Sequence, residues 1–280
     1  MNAMPLPAPM APFSWIDTPW GPSLQCDALV PLATHLFTAR GLDLPHADSG
    51  DGWAPLARYL GVAPDHLWRM RQVHGVTAHT QDVRPCEGAW PEGDLLATER
   101  DDVALVIRTA DCVPVLFADE RTGAVAAVHA GWRGSAAGAA PRMVEVLASR
   151  FGSRPGDLVV AIGPSIGPEA YEVGQDVIDA FSAGWPDAAD RGTWWRSGRA
   201  AGKYSLDLWT ATRDQLAAAG VRPERLHLAG LCTATHADVF HSYRIHGAAA
   251  GRMGAAIKRR TPNAERRPPN AERRTPNAER

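Results

Sequence analysis

The chain has 280 residues, 45% of them hydrophobic, and a formal net charge of −2. That length supports one large domain or two small ones with a sizeable core. From Lys258 onward eight Lys/Arg stand against three Glu, so that segment carries +5 and the remainder −7. A mildly acidic body argues against a nucleic-acid surface, because phosphate neutralisation needs clustered Lys and Arg.

The first residues, MNAMPLPAPMAPFSW, lack the basic and apolar regions of a signal peptide. No run approaches the roughly 20 apolar residues of a membrane span. Cys26, Cys86, Cys112 and Cys232 are widely spaced and form no CxxC motif. A cytoplasmic protein with free thiols is expected. Residues 1–20, rich in Pro and Ala, read as loose.

In chain order, Val103–Arg108 and Val113–Phe117 are β-branched apolar runs that read as strands, separated by Thr109, Ala110, Asp111 and Cys112. Ala124–His129 is a further strand, ending at a turn with Gly131 and Gly134. Ser135–Phe151 reads as a helix that Pro141 either starts or kinks. Leu158–Ile162 is a buried strand. Gln175–Ala183 and Asp207–Ala219 read as helices, the second stopped by Gly220, and Arg225–Leu231 as a strand. Residues 258–280 repeat TPNAERR with Pro in every copy and no apolar seam, the pattern of a disordered basic tail. No composition break divides the middle, so one α/β domain is the economical reading.

Three short patterns carry chemistry: Arg71-Gln72-Val73-His74-Gly75, Arg108-Thr109-Ala110-Asp111-Cys112 and His129-Ala130-Gly131-Trp132-Arg133-Gly134. Each sets a soft or borderline metal ligand where a strand gives way to a turn. Taken singly, each His fits a packed, hydrogen-bonded residue and Cys112 fits a core thiol. Taken together, two imidazoles and a thiolate suit zinc, with a fourth position left for water or substrate. Asp111, beside Cys112, is a candidate proton shuttle, provided a turn there brings the two side chains together. Arg40, Arg133 and Arg244 are candidate phosphate ligands, since guanidinium matches phosphate in a bidentate way. The backbone of Gly163–Gly167 is another, or merely a turn. Trp132, Tyr171 and Tyr243 suit either packing or stacking on a base.

These patterns, with Phe37-Thr38-Ala39-Arg40, Ile162-Gly163-Pro164-Ser165-Ile166-Gly167-Pro168, Tyr171-Glu172-Val173, Cys232-Thr233, Ser242-Tyr243-Arg244 and Gly251-Arg252, resemble the YfiH-like family. It is also called the laccase-domain or multicopper polyphenol oxidase family and takes in peptidoglycan editing factors. The resemblance runs from about Leu36 to Ile257. It implies an α/β single-domain layered sandwich of sheets flanked by helices, with a catalytic domain over residues 21–257. It implies that His74, Cys112 and His129 bind the metal, zinc or alternatively copper. It further implies purine nucleosides and phosphate as substrates, in phosphorolysis of adenosine, inosine, guanosine and methylthioadenosine and in deamination of adenosine. The chain departs from the family pattern at Gly41–Trp53, which is short, at Glu169 and Ala170, where cysteines are usual, and at Ile245, where a basic residue is usual.

Three competing readings have sequence-level content. A multicopper oxidase needs clustered histidines, and the ten His here include no His-x-His. A hydrolase editing peptidoglycan precursors would use the same open metal site. A structural zinc would need a fourth protein ligand, for which Cys232 and His236 are the candidates.

Overall fold

Strands whose two faces are both covered read as unbroken apolar runs, and the centre of this molecule is built from such strands. A computed structural model describes residues 6–45, 51–80, 90–187 and 193–260. In chain order the strands are β1 (Phe13–Thr18), β2 (Gly21–Cys26), β3 (Ala33–Thr38), β4 (Leu67–Trp68) and β5 (Ala78–His79). Then come β6 (Leu95–Thr98), β7 (Ala104–Thr109), β8 (Val113–Asp119), β9 (Val125–Ala130) and β10 (Leu158–Ile162). The last are β11 (Glu172–Val173), β12 (Trp195–Ser197), β13 (Tyr204–Leu206), β14 (Leu226–Leu228) and β15 (Met253–Arg259). The helices are α1 (Ala54–Leu60), α2 (Trp132–Ala136), α3 (Ala139–Phe151), α4 (Gln175–Gly184), α5 (Leu208–Ala218) and α6 (Tyr243–His246).

The first six-stranded sheet has the order β1-β2-β3-β15-β7-β4, and the second β14-β10-β8-β9-β6-β5. Period-2 alternation assigns their layers. Leu105 and Ile107 of β7 face Leu116 and Ala118 of β8 between the two sheets. Ala104 and Val106 point the other way, onto Leu56, Ala57 and Leu60 of α1. Val113, Val115 and Phe117 of β8 meet Met143 and Leu147 of α3, Phe181 of α4 and Ala211 of α5. The result is helix, sheet, sheet, helix, the layered α/β sandwich that the sequence leads one to expect. A small sheet, β11-β13-β12, lies beside it.

Several boundaries differ from the sequence reading. The segment read as loose up to residue 20 contains β1, whose Trp15 stacks on Phe240 with centroids 5.9 Å apart. At the other end β15 runs past Ile257 to Arg259 and sits between β3 and β7 at the centre of the first sheet. The repeat from residue 261 lies outside the described residues. The Ser135–Phe151 helix is two helices, because Gly138 takes φ 79 between them. Pro141 stands in the first turn of α3, where its missing N–H has no intrahelical partner to lose. Of Arg225–Leu231 only Leu226–Leu228 is strand. Among the described residues no helix is long and apolar enough to cross a membrane.

Candidate metal centre and its cavity

β7 belongs to the first sheet and β8 to the second, and only residues 110–112 join them. Cys112 therefore sits where the chain crosses between layers. His129 is the penultimate residue of β9, opposite Pro114 of β8. His74 lies on the loop between β4 and β5 with φ 62. The ligand atoms of these three side chains all lie within 4.8 Å of one another, and the two imidazoles meet edge to face at 4.9 Å. Gly131 makes this closeness sterically feasible. A Cβ there would stand 2.7 Å from His74 Cδ2 and 3.1 Å from Cys112 Sγ.

Asp94, just ahead of β6, is fully buried and was not picked out from the sequence. Its Oδ1 accepts the His74 backbone N–H at 3.0 Å and lies 2.8 Å from His129 Nδ1. Its Oδ2 accepts the N–H groups of Val73 at 3.2 Å and Gly75 at 2.7 Å.

Charges reinforce the cluster. Burial pushes the Cys112 thiol up, but His129 and His74 outweigh it and bring the thiol down to about 6. Burial likewise pushes His129 down, yet the Cys112 thiolate and Asp94 raise it to about 9. The two titrate as a pair, a thiolate against an imidazolium. Burial alone would raise Asp94, while the hydrogen bond and charge of His129 and the N–H groups of Gly75 and His74 hold it below the usual carboxylate range.

Asp111 and His74 are the non-glycine residues with positive φ among those described, Asp111 at 88°. The turn needed at Asp111 is thus present, and its carboxylate is hydrogen-bonded. Oδ1 accepts from Thr233 Oγ1 and Oδ2 from the Arg244 N–H, each at 2.6 Å. Its carbonyl accepts from Ile166 N–H at 2.9 Å. Asp111 thus joins three distant segments to the Cys112 turn and also lines the cavity into which the trio opens. The N–H groups of Gly163–Gly167 are likewise spent within the protein, on Pro114 O, Leu231 O, Asp111 O and the Cys232 Sγ. That loop is a turn, with no donors left over for phosphate. Cys232 Sγ accepts from Gly167 and Thr235, and neither Cys232 nor His236 joins the metal-ligand group.

The trio opens into a cavity of about 650 Å³, well within the range of small-molecule sites. Arg133 and Arg244 line it, and Trp132, Tyr171 and Tyr243 form its aromatic wall. The Arg133 guanidinium lies 4.2 Å from the Trp132 ring and that of Arg244 5.1 Å from the Tyr171 ring. Arg40 does not line it; its guanidinium donates to Ala237 O at 2.6 Å. In its place stand Arg108 and Arg252. Gly254 of β15 pairs with Arg108 of β7, so Arg252, two residues earlier, shares the face of Arg108 as its diagonal neighbour. Both residues belong to motifs visible in the sequence, but their meeting depends on a strand pairing that spans about half of the chain.

Two imidazoles and a thiolate, packed against a glycine that leaves them room, fit a transition metal held by three protein ligands. Among the described residues this is the one such group of three or more His, Cys, Asp or Glu.

Comparison with known proteins agrees with this architecture. The profile of the family described as multi-copper polyphenol oxidoreductase laccase matches residues 51–260. A purine nucleoside phosphorylase of Deinococcus radiodurans is 42% identical over 205 residues, 73% of this chain and 74% of that protein. The adenosine deaminase RL5, from an unknown prokaryotic organism, is 33% identical over 217 residues, 75% of this chain and 81% of its own. The crystal structure of YlmD from Geobacillus stearothermophilus superposes with a TM-score of 0.77 at 31% identity, over 85% of this chain and 96% of that one. With fold and sequence in agreement, this chain is a member of the multi-copper polyphenol oxidoreductase laccase family, alongside relatives named YfiH and YlmD.

Proposed function

We propose that this protein is a purine nucleoside phosphorylase, cleaving inosine, adenosine, guanosine or methylthioadenosine with inorganic phosphate, and that His74, Cys112 and His129 hold zinc. The observation that carries the reading is one cavity in which a metal-ligand trio, four arginines and an aromatic wall converge. In the reaction phosphate oxygen bonds to C1′ as the C1′–N9 bond breaks. The bonding pair leaves with the purine, which takes up a proton. Arg108, Arg133, Arg244 and Arg252 supply the charge that draws phosphate in and neutralises it beside the sugar. Trp132 offers a flat face to the base. Burial, and then the Cys112 thiolate, raise Tyr171 above its ordinary range, so its hydroxyl stays protonated and can donate to a ring nitrogen of the departing purine. Bound at the trio, zinc supplies Lewis acidity.

Deamination of adenosine at the same centre is the second reading, favoured by the relative named for that activity. Asp111 lines the cavity and keeps an accepting site on each oxygen beside its bonds from Thr233 and Arg244, so it is the proton carrier to test there. The test of the main reading is phosphate-dependent release of hypoxanthine from inosine by purified protein, with Cys112→Ala beside it. Release that needs phosphate and is lost in the variant is expected. If folded, zinc-loaded protein leaves inosine, adenosine and methylthioadenosine intact, the assignment fails and a cell-wall precursor becomes the substrate to try.

A further inference from the structure

We infer that Asp94 is a positioning residue for both histidines of the trio, one carboxylate that fixes the loop of His74 and the tautomer of His129. This rests on the reading of the trio as a metal centre. The argument starts from the accounting of acceptors. A carboxylate has two oxygens and about four lone-pair sites, and Asp94 fills all four. Three go to consecutive backbone N–H groups, those of Val73, His74 and Gly75. Successive N–H groups converging on one anion form a nest, and such a nest needs a residue in the left-handed region. His74 takes that conformation at φ 62, which is unfavourable for a side chain bearing a Cβ. The three charge-assisted bonds from a fully buried carboxylate compensate that strain.

The fourth site takes His129 Nδ1 at 2.8 Å. An ionised carboxylate only accepts, so Nδ1 must carry a proton and donate it. That leaves Nε2, whose proton a metal ion displaces, as the nitrogen to bind the ion. Asp94 and His129 are further tied through the main chain, His129 N–H donating to Asp94 O at 2.9 Å. Two ligands 55 positions apart in the chain are thus referred to the same buried group.

Asparagine cannot replace it in either orientation. With its oxygen toward His74 and His129, its amide hydrogens meet the N–H groups of Val73 and Gly75, donor against donor. With the amide toward His129, Nδ1 must become the acceptor and the proton moves to Nε2, which blocks the ligand atom. Asp94→Asn should therefore weaken zinc binding by about 10–100-fold, the range for losing an outer partner of a metal-bound His.

The control is Asp119→Asn at the far end of β8. Asp119 is also buried and its Oδ1 accepts the N–H groups of Arg121 at 2.7 Å and Thr122 at 3.1 Å, without contact with the trio. A general loss of stability would move both variants alike, whereas positioning moves only Asp94→Asn. The experiment is zinc competition against a chromophoric chelator for wild type and both variants. A selective loss in Asp94→Asn is expected, and equal zinc affinity in all three proteins overturns the inference alone. Failure of the wild type to bind zinc removes the metal reading itself. Should Asp94→Asn not fold, long-range proton–nitrogen correlation spectra of zinc-loaded wild type decide. His129 protonated at Nδ1 with Nε2 on the metal is expected, and the opposite tautomer overturns the inference.

Discussion

Replacing Gly131 with Ala isolates the geometry of the trio from the stability of the fold. Gly131 has φ −69 and ψ 171, a conformation open to any residue, so the backbone accepts alanine without strain. The unfolded chain loses entropy, which by itself favours the variant by about 0.4–1 kcal/mol. The added methyl, however, would lie 2.7 Å from His74 Cδ2 and 3.1 Å from Cys112 Sγ. Ordinary carbon contacts need about 3.5–4.0 Å, so the His74 ring must retreat by about 1 Å. His74 is the part able to yield, being exposed on a loop, while Cys112 is held by the short crossing from β7 to β8. A displacement of about 1 Å at a reacting centre costs on the order of 100-fold in rate. We expect kcat/KM for inosine phosphorolysis to fall by about that factor, and zinc affinity with it, while the metal-free protein melts no lower than wild type. The assay is steady-state kinetics on zinc-loaded protein beside a thermal melt. Wild-type kinetics in a folded Gly131→Ala protein would refute the view that this close approach sets the site.

His35 offers a pH-dependent test. It is fully buried, its Nε2 accepting the Cys26 N–H at 3.0 Å and its Nδ1 lying 3.2 Å from Ala33 O, and burial lowers its pKa from 6.5 to about 4. Between those values the unfolded chain binds the extra proton, so the stabilising difference is complete above pH 6.5 and is lost as pH falls toward 4. The loss is about 3 kcal/mol, and urea melts at pH 7 and 4.5 should show it shrinking in His35→Gln. At the start of α5, Asp207 accepts the N–H groups of Trp209 and Thr210, each at 3.0 Å. Asp207→Ala should lower stability by about 1 kcal/mol in the same melts, and no change would mean that water satisfies those donors equally well.

What could be read from the sequence follows where burial is two-sided. The strands at 104–109, 113–119, 125–130 and 158–162 were placed to within a residue or two, because each is an unbroken apolar run. β15, at the centre of the first sheet, reads MGAAIKR, with small residues where β-branched ones would announce a strand. Its place comes from distant partners, β3 and β7. The site divides in the same way. His74, Cys112 and His129 are conspicuous as residue types, while Asp94 is one carboxylate among 31 acidic residues. Its role exists only once a loop twenty positions upstream and a strand end thirty-five downstream close on it. Arg40 is a candidate the sequence offers for phosphate, whereas Arg252 shares the cavity lining with Arg108 through the pairing of β15 with β7.

The three-residue crossing at Cys112 also limits how such a protein can diversify. Lengthening it would part the two sheets, and turning it would break the hold of Asp111 on three other segments. Around this fixed floor, part of the cavity is walled by Tyr171 beside the small sheet and by the exposed turn of α6. Two departures from the family pattern, at 169–170 and 245, stand in the chain directly beside lining residues Tyr171 and Arg244. Exchanging the wall would change what the cavity admits and leave His74, Cys112 and His129 where they are.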